Sequence, residues 1–512
     1  MITIFSEVLL SLVILSLVLY GINLSTFKIS VGALFIIGVI LAQLWADVLY
    51  MSDSLMWGTG GLLLTNSWIV ISKLIIIMGS VALLLMYGSG TQDIKSEAED
   101  SKAITLNLDL LKIWGKDQNQ GAQGNEFIKP TIIFSRGAET ESITRQWISL
   151  MLIVVLSSLL LVSSVNWLSI YLAIELQTLT LFILVAIKRE SAYSTEGGLK
   201  YFVLGAVSSG LFLFGCALLY GLSGQTGVQG LNSCLTADVG KILITVSLLF
   251  KLSVAPFHMW APDVYDGSAT IIAATLATVS KIGIFSVLVQ IGPVINVVLI
   301  CAILSIICGS IGALNQTKIK RLLAYSGIGH MGFVLFGVAI GSLESIQASL
   351  IYMIVYVVMT ICSFSIILSL KLTKILIVEV SGASRENSVL ALTLALSFLS
   401  IAGIPPLAGF LSKWLILLAG VSSGYYSICI LIVLSSVIAG VYYVRLVQII
   451  YFPLGSRDYS MLVWQKVLKK EKRIDFSKSI IIGVTFFIIL FLIVSPNFLL
   501  ELTHDATISL YA

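Results

Sequence analysis

The sequence predicts an all-α polytopic membrane protein with about fourteen transmembrane helices, and three observations support this fold class. Of the 512 residues, 58% are hydrophobic and only 11% are charged, against about 25% charged residues in an average soluble domain. The mean hydropathy is +1.04. Apolar runs long enough to cross the hydrocarbon core of a bilayer recur along the whole chain. Such a composition cannot form the polar surface that a soluble protein needs.

The apolar runs give the predicted spans in chain order. They lie at residues 2–22, 30–46, 68–90, 146–165, 167–187, 198–222, 240–260, 267–290, 292–313, 321–341, 346–370, 388–419, 424–452 and 479–500. Connections after odd-numbered spans carry nearly all of the lysines and arginines between spans, whereas the even-numbered connections carry essentially none. By the positive-inside rule, the odd connections face the cytoplasm or matrix and both termini face the opposite side.

The spans and connections divide the chain into six segments. They are three N-terminal helices (1–91), a polar loop on the positive side (92–145), a five-helix set (146–291), a second five-helix set of inverted orientation (292–452), a basic loop (453–478), and a C-terminal helix with its tail (479–512). Within the polar loop, residues 104–110 alternate with period 2, which allows a short strand, although a solvated loop fits as well. The basic loop either contacts anionic lipid headgroups or a partner, or serves only to set topology.

Two spans contain sequence breaks at membrane depth. One is KLSVAPFH at 251–258, and the other is GIPPLAG at 403–409, which is followed by Lys413. Proline interrupts a helix, and irregular backbone is tolerated inside a membrane only where it lines protein or water. Both breaks fall in the fourth helix of a five-helix set, and paired broken helices in inverted repeats are typical of transport sites. A kinked structural helix without a transport role is the alternative.

Charged residues inside apolar spans give the candidate site. Each costs at least about 2.5–3.5 kcal/mol at the bilayer centre, so a series of them indicates a proton or ion path. Lysine suits this role because burial disfavours its charged form while a neighbouring carboxylate favours it. The candidates are Glu175, Lys200, Lys251, Lys281 and Lys413.

Other polar residues in the spans carry weaker predictions. His330 either relays protons or is a hydrogen-bonded core histidine. Glu175 and His330 each lie in the second helix of their five-helix set, and Lys281 and Arg445 each lie in the fifth. These two pairs are therefore expected to occupy equivalent positions in the two repeats. Two further residues near predicted span ends, Glu7 and Lys73, are expected to extend to the membrane interface.

Several classes of function are excluded. The net charge is only +4 and the basic residues are dispersed, so nucleic-acid binding is not expected. The six cysteines form no CxxC pair, and neither a zinc site nor an iron–sulfur cluster is indicated. The GxGxxG match at 327–332 lies inside an apolar span rather than between a strand and a helix, so it predicts close helix packing and not a dinucleotide site.

Five motifs resemble one family. They are YLAIELQTL (171–179), GLKYFVLGAVSSG (198–210), KLSVAPFHMWAPDVYDG (251–267), KIKRLLAYSGIGHMG (318–332) and GIPPLAGFLSKW (403–414). They are similar to the antiporter-like membrane-arm subunits of respiratory NADH:ubiquinone oxidoreductase (complex I), and in particular to the chain 2 family. The resemblance extends over residues 146–452. The long connection of this chain at 91–145 departs from the family pattern.

The resemblance implies a proton-pumping subunit. The family's proton-carrying glutamate and lysines correspond to Glu175, Lys251, Lys281 and Lys413, and a lysine found in some members corresponds to Lys200. FMN, the iron–sulfur clusters and ubiquinone are implied in other subunits, and no cofactor is expected in this chain.

The expected partners are other complex I subunits, especially neighbouring antiporter-like and small membrane-arm subunits, together with anionic phospholipids; neither nucleic acid nor a second copy of the chain is expected. The absence of an Arg-rich presequence favours synthesis inside an organelle. The expected location is the mitochondrial inner membrane with both termini in the intermembrane space, the alternative being a bacterial plasma membrane.

Two other functions stay open at this stage. A stand-alone or multi-subunit cation/proton antiporter would share the broken helices and the lysines, and would move Na⁺ or K⁺ in vesicles. A scaffold that only fills the membrane arm would tolerate loss of Lys251 and Lys281 without any effect on pumping.

Overall fold

The computed structural model describes residues 5–20, 26–50, 56–57, 63–88, 131–188, 191–228, 237–370, 372, 375–381, 383–452 and 475–511. These residues are almost entirely helical. The exceptions with regular structure are two short antiparallel strands, β1 (Met56–Trp57) and β2 (Leu64–Thr65). The predicted all-α fold is confirmed.

The helices of the described residues are numbered in chain order. They are α1 (Phe5–Tyr20), α2 (Thr26–Tyr50), α3 (Ser67–Gly88), α4 (Thr131–Ser163), α5 (Trp167–Val185), α6 (Ala192–Ser223), α7 (Ala237–Lys251), α8 (Trp260–Gly267), α9 (Thr270–Ala277), α10 (Val279–Ile291), α11 (Ile295–Ala313), α12 (Ile319–Ile340), α13 (Leu343–Ser369), α14 (Ala383–Glu386), α15 (Ser388–Ala402), α16 (Ala408–Ser422), α17 (Tyr426–Tyr451), α18 (Phe476–Val494) and α19 (Asn497–Tyr511), with a short 3₁₀ helix at Ile377–Val380.

The predicted spans have helical counterparts throughout the described residues. Ten helical segments are long and apolar enough to cross a membrane, with α9 and α10 counted as one. Shorter apolar segments lie in α1 and α2. The two remaining spans are the interrupted ones, α7–α8 and α15–α16. The protein is therefore a polytopic membrane protein with two discontinuous helices, as predicted.

Burial separates the helices into an inner and an outer group. The α9–α10 segment, α12 and α13 are the most deeply buried of the membrane-crossing segments, whereas α6, α11, α17 and α18 leave most of their surface exposed. Exposed apolar surface is stable where it meets lipid tails or a partner subunit. The inner helices are therefore where buried polar groups are shielded from lipid.

The structure differs from the prediction at two connections. Helix α4 begins at Thr131, so the predicted polar loop does not extend to residue 145. Its start follows Pro130, and proline is favoured at the beginning of a helix. The predicted basic loop at 453–478 ends earlier, because α18 begins at Phe476. The possible strand at 104–110 and residues 453–474 of the basic loop lie outside the described residues.

A second helix follows the last span and was not predicted. Helix α18 ends at Val494 because Pro496 cannot continue it. The carbonyl of Pro496 then accepts hydrogen bonds from the amides of Leu499 and Leu500, which start α19. The predicted C-terminal tail is thus largely helical.

Glycines allow α11 and α12 to pack closely. A Cβ on Gly309 would lie 2.5 Å from the amide nitrogen of Gly329. A Cβ on Gly332 would overlap the hydroxyl of Ser305. The GxGxxG match therefore lies within a helix–helix contact, in agreement with the packing interpretation.

The N-terminal helices contain a buried ion pair, which corrects the prediction for Glu7 and Lys73. The Lys73 ammonium of α3 pairs with the Glu7 carboxylate of α1, and both side chains are buried. Ser163 at the end of α4 donates a 3.3 Å hydrogen bond to Glu7 Oε1. The two charges neutralise each other inside the bundle, so neither needs to extend to the interface.

We expect Lys73→Met to loosen the attachment of α1, because removing one partner of a buried ion pair costs about 3–5 kcal/mol. The double variant Glu7→Met/Lys73→Met leaves no uncompensated charge and is expected to recover most of that loss. The measurement is the thermal stability of the purified protein in detergent. A second measurement is the rate at which a protease cleaves the chain between α1 and α2. Equal stability of the single and double variants would contradict this account of the pair.

Candidate functional site

The first interruption holds Lys251. Helix α7 ends at this residue and α8 begins at Trp260, with Pro256 in the gap. The Trp260 indole donates a 3.1 Å hydrogen bond to the carbonyl of Phe250, which joins the two halves. Lys251 is only 7% exposed, and its Nζ donates to the carbonyl oxygen of Gly205 in α6 at 3.3 Å. Its position in the last turn of α7 also meets the negative end of the helix dipole.

The second interruption holds Lys413. Helix α15 ends at Ala402, the chain turns at Gly403 with a φ of 85°, and α16 begins at Ala408. Lys413 is buried in α16, and its Nζ donates to the carbonyl oxygen of Ala402 at 2.6 Å. The last carbonyls of a helix have no partner within the helix. The break therefore exposes a main-chain acceptor that the lysine of the following half-helix uses.

Glu175 lies close to the first break. It is half-buried on α5, and its Oε2 accepts a 3.3 Å hydrogen bond from the hydroxyl of Thr178. Its carboxylate acts electrostatically on Lys251 and on the buried Tyr201. No direct ion pair joins Glu175 to Lys251, both of which the structure describes. The two charges therefore lie near each other but without a direct contact.

Lys281 lies in the buried interior beside aromatic rings. It is 2% exposed on α10, and its Nζ lies 5.8 Å from the centroid of the Tyr356 ring. The ring of His330 lies 5.5 Å from the same tyrosine ring, measured between centroids. Nδ1 of His330 shares a 2.6 Å hydrogen bond with the hydroxyl of Tyr352. This histidine is therefore hydrogen-bonded in the core and also next to a buried lysine.

His330 lies near both Lys281 and Lys413. Both lysines lie near enough to act on the histidine electrostatically. The ammonium group of Lys413 lies 5.7 Å from the centroid of the Phe333 ring, and that ring in turn lies 6.2 Å from the ring of His330. The structure therefore brings these three predicted residues into one cluster across α10, α12 and α16.

Three buried tyrosines, Tyr201, Tyr265 and Tyr356, were not singled out in the sequence, and they belong to the first interrupted helix, pack against it, or lie beside Lys281. Tyr201 packs against Trp260 with the ring centroids 5.1 Å apart. Tyr265 of α8 is fully buried, and its hydroxyl has no hydrogen-bond partner among the described residues. It lies near both Tyr201 and Tyr356. The only sequence signal for these residues was the placement of tyrosines in otherwise apolar spans.

The position of Lys200 differs from the prediction. Its side chain is 41% exposed and pairs with Glu196 at 2.8 Å and Asp263 at 2.7 Å. Helix α6 has 32 residues, or about 48 Å at 1.5 Å per residue, whereas the hydrocarbon core is about 30 Å thick. The helix is therefore longer than the hydrocarbon core. Lys200 is the third residue of the predicted span at 198–222, so it lies near the end of that span, from which its ammonium group reaches carboxylates at the protein surface.

Lys200 belongs to a surface ion-pair network that joins α6, α8 and the start of α12. Its members are Glu196, Lys200, Asp263, Asp266, Lys318 and Arg321. Two of them, Asp263 and Asp266, lie directly after the first break. The network therefore fixes the second half of that discontinuous helix to its neighbours.

The two pairs of residues expected at equivalent positions of the repeats, Glu175 with His330 and Lys281 with Arg445, differ in their surroundings. His330 is buried near Lys281 and Lys413, as a site residue would be. Arg445, the expected counterpart of Lys281, is exposed on α17. The correspondence between repeats thus does not extend to this arginine.

The chemistry available at the site is that of proton donors and acceptors. Within the described part of the chain, no group of three or more His, Cys, Asp or Glu residues could hold a metal ion. The buried polar side chains are amines, an imidazole, a carboxylate and phenol hydroxyls. All of these groups can accept or donate protons or orient water.

Comparisons with known proteins show the family of this chain. Residues 164–439 match the family model described as NADH:quinone oxidoreductase/Mrp antiporter. NADH-ubiquinone oxidoreductase chain 2 of Metridium senile is 60% identical over 375 residues, which cover 71% of this chain and 97% of that relative.

Solved structures share the fold. A chain of respiratory complex I from Thermus thermophilus is similar with a TM-score of 0.74 and 22% identity, covering 97% of this chain and 98% of that one. A chain of the Mrp complex from Dietzia sp. has a TM-score of 0.79 and 16% identity, covering 99% and 97%. These likenesses concern the fold alone, and they cover nearly the whole chain.

We expect cysteine labelling to separate the surface lysine from the buried ones. Lys200→Cys is expected to react with a membrane-impermeant maleimide added to the side of the membrane that carries the odd connections. Lys251→Cys and Lys413→Cys are expected to stay unlabelled on both sides, because both side chains are buried. The unmodified chain, with its own cysteines, is the control. Labelling of Lys200→Cys from the opposite side only would contradict the predicted orientation.

Proposed function

Because the chain belongs to the chain 2 family of NADH:ubiquinone oxidoreductase, we propose that it moves protons along a buried path of Glu175, Lys251, Lys281, His330 and Lys413. The chain is a proton-translocating membrane-arm subunit of complex I, and thus a subunit of an enzyme. It is a multi-pass inner-membrane protein whose partners are other complex I subunits. The residues of the buried path are the part that we propose.

One observation carries the proposal: Lys251, Lys281 and Lys413 are all buried, and their ammonium groups contact main-chain carbonyls or aromatic rings instead of carboxylates. A buried lysine that pairs directly with a carboxylate is held in its charged form. A buried lysine without such a pair can exchange its proton with water or a neighbour. This environment suits a relay better than a structural ion pair.

The first step of the path involves Glu175 and Lys251. At 4 Å and an effective dielectric of about 20, such a pair attracts by about 4 kcal/mol. Their separation means that a small approach would strengthen the interaction and a small retreat would weaken it. We propose that this change in separation decides whether Lys251 holds or releases its proton.

The middle of the path is carried by tyrosine hydroxyls. We propose that Tyr201, Tyr265 and Tyr356 connect Lys251 with Lys281, because Tyr265 lies near the other two tyrosines and Tyr356 lies beside Lys281. A phenol hydroxyl can donate one hydrogen bond while it accepts another. The unpartnered hydroxyl of Tyr265 supports a bound water at this point, because buried polar groups are normally satisfied. A proton can then pass along hydroxyls and water without creating a charged tyrosine.

The last step connects Lys281 and Lys413 through His330. The imidazole has two nitrogens, and one of them is occupied by the hydroxyl of Tyr352. The second nitrogen is available to exchange a proton with water between the two lysines. Lys200 is not part of this buried path, because it lies in the exposed ion-pair network.

We propose that the path follows an inverted repeat of two five-helix sets, over residues 146–291 and 292–452. The redox groups, FMN, iron–sulfur clusters and ubiquinone, are proposed to reside in other subunits. The neighbours are proposed to be antiporter-like and small membrane-arm subunits, with anionic phospholipids at the basic side and no second copy of this chain. The proposed location is the mitochondrial inner membrane, with both termini in the intermembrane space.

We expect Lys281→Met to abolish most of the proton translocation that accompanies NADH oxidation, because methionine has similar volume but cannot carry a proton. The matched control is Lys200→Met, which removes a lysine from exposed ion pairs worth only about 0.2–1 kcal/mol each. The measurement is the number of protons moved per NADH oxidised by the assembled complex in sealed vesicles. Assembly is checked by the amount of intact complex.

Equal proton translocation by the two variants would contradict the proposed path and favour a scaffold role. Transport of Na⁺ or K⁺ against protons by the reconstituted chain alone would favour the antiporter alternative. A complex I subunit is expected to be inert in that assay.

A further inference from the structure

Each of the three buried lysines of the path has its ammonium group against a glycine. The distances from the ideal Cβ position of the glycine to the lysine Nζ are 3.5 Å for Gly205 and Lys251, 3.6 Å for Gly327 and Lys281, and 2.8 Å for Gly403 and Lys413. The glycines lie on α6, on α12 and in the second break. The same arrangement therefore recurs at three unrelated places in the chain.

Other buried lysines have different surroundings. Lys73 pairs with the carboxylate of Glu7 and Lys478 with that of Asp475. Lys320 donates a 2.7 Å hydrogen bond to the carbonyl oxygen of Ser268. Burial alone does not bring a lysine against a glycine, so the arrangement accompanies the lysines of the proposed path.

A buried ammonium group needs more partners than the protein supplies at these positions. It carries three N–H donors. Lys251 uses one on the carbonyl of Gly205, and Lys413 uses one on the carbonyl of Ala402. Donors left without a partner are costly in an apolar interior, so water is the natural acceptor for the others. A glycine leaves that space free because it has no Cβ.

We propose that Gly205 and Gly327 are positioning residues of the proton path, which keep open the space where the ammonium groups of Lys251 and Lys281 bind water and move. This inference rests on the proposed function, because Gly205 and Gly327 have this role only if Lys251 and Lys281 carry protons. Gly403 belongs to the same arrangement, but its φ of 85° makes any substitution strained for a separate reason.

The two testable glycines differ in what a methyl group would meet. At Gly205 the nearest atom is Lys251 Nζ itself at 3.5 Å, an ordinary contact, so alanine fits without displacing protein. At Gly327 the Cβ would lie 2.9 Å from the hydroxyl of Tyr356, which would have to shift. Gly205→Ala is thus the sharper variant, because it fills the space beside the ammonium group and disturbs little else.

Each glycine has a matched control on its own helix. Gly210 on α6 has no atom within 4 Å of its Cβ position, and the nearest atom at Gly329 on α12 is 3.8 Å away. Gly210→Ala and Gly329→Ala make the same chemical change away from any lysine. The four variants are compared in the assembled complex in sealed vesicles. The readouts are protons moved per NADH oxidised, the amount of intact complex, and the pH dependence of the rate.

We expect Gly205→Ala and Gly327→Ala to assemble normally and to lower proton translocation by about tenfold, a part of the roughly 100- to 10,000-fold that a positioned proton-transfer group contributes. The physical reason is that the added methyl group takes the place of water beside each ammonium group. Their pH profiles are expected to change shape, whereas both control variants behave like the unmodified chain. A purely structural role would instead reduce the amount of complex and leave the pH profile of the remainder unchanged, which would overturn the proposal.

The test separates this inference from the path on which it rests. If Gly205→Ala and Gly327→Ala match their controls while Lys281→Met abolishes translocation, the glycine proposal fails and the path stands. If Lys281→Met also has no effect, the path itself fails.

Discussion

The need of a buried ammonium group for hydrogen-bond acceptors determines how this interior is built. A regular transmembrane helix uses nearly all of its carbonyls internally, and only the last turn leaves them free. Interrupting a helix moves such an end to the depth of the membrane. The carbonyl of Ala402 serves this purpose for Lys413, at 2.6 Å. At the second break, the interruption and the buried lysine are therefore two parts of one arrangement, because the end of α15 supplies the acceptor that Lys413 needs.

The two breaks meet this need in different ways. Lys413 binds the preceding half of its own discontinuous helix, so the lysine and its acceptor belong to one element. Lys251 lies at the end of α7 and binds Gly205 on the separate helix α6. A shift of α6 relative to α7 would change the surroundings of Lys251 without breaking any helix, whereas Lys413 would keep its acceptor. The half with Glu175 therefore has the geometry for a variable interaction, and the half with Lys413 has that of a fixed one.

The helices and both breaks could be predicted from the sequence because hydropathy and proline act locally. The environment of each charge could not, because the same signal, a charged residue in an apolar run, led to three outcomes. Lys73 pairs with Glu7 on another helix, Lys200 lies in an exposed network, and Lys251 contacts a main-chain carbonyl. The first outcome depends on a partner 66 positions away. The second depends on where a long helix leaves the membrane.

The tyrosines were missed for a related reason. A search for titratable charges passes over residues that stay neutral, yet neutral groups have a physical advantage between cations. Two like charges repel by about 1.7 kcal/mol at 10 Å and an effective dielectric of about 20, so a further fixed charge between Lys251 and Lys281 would disfavour protonation of both or trap it at one. The hydroxyls of Tyr201, Tyr265 and Tyr356 supply donors and acceptors without adding such a charge. An interior that must hold several protonatable lysines is therefore best connected by groups that carry hydrogen bonds and no charge of their own.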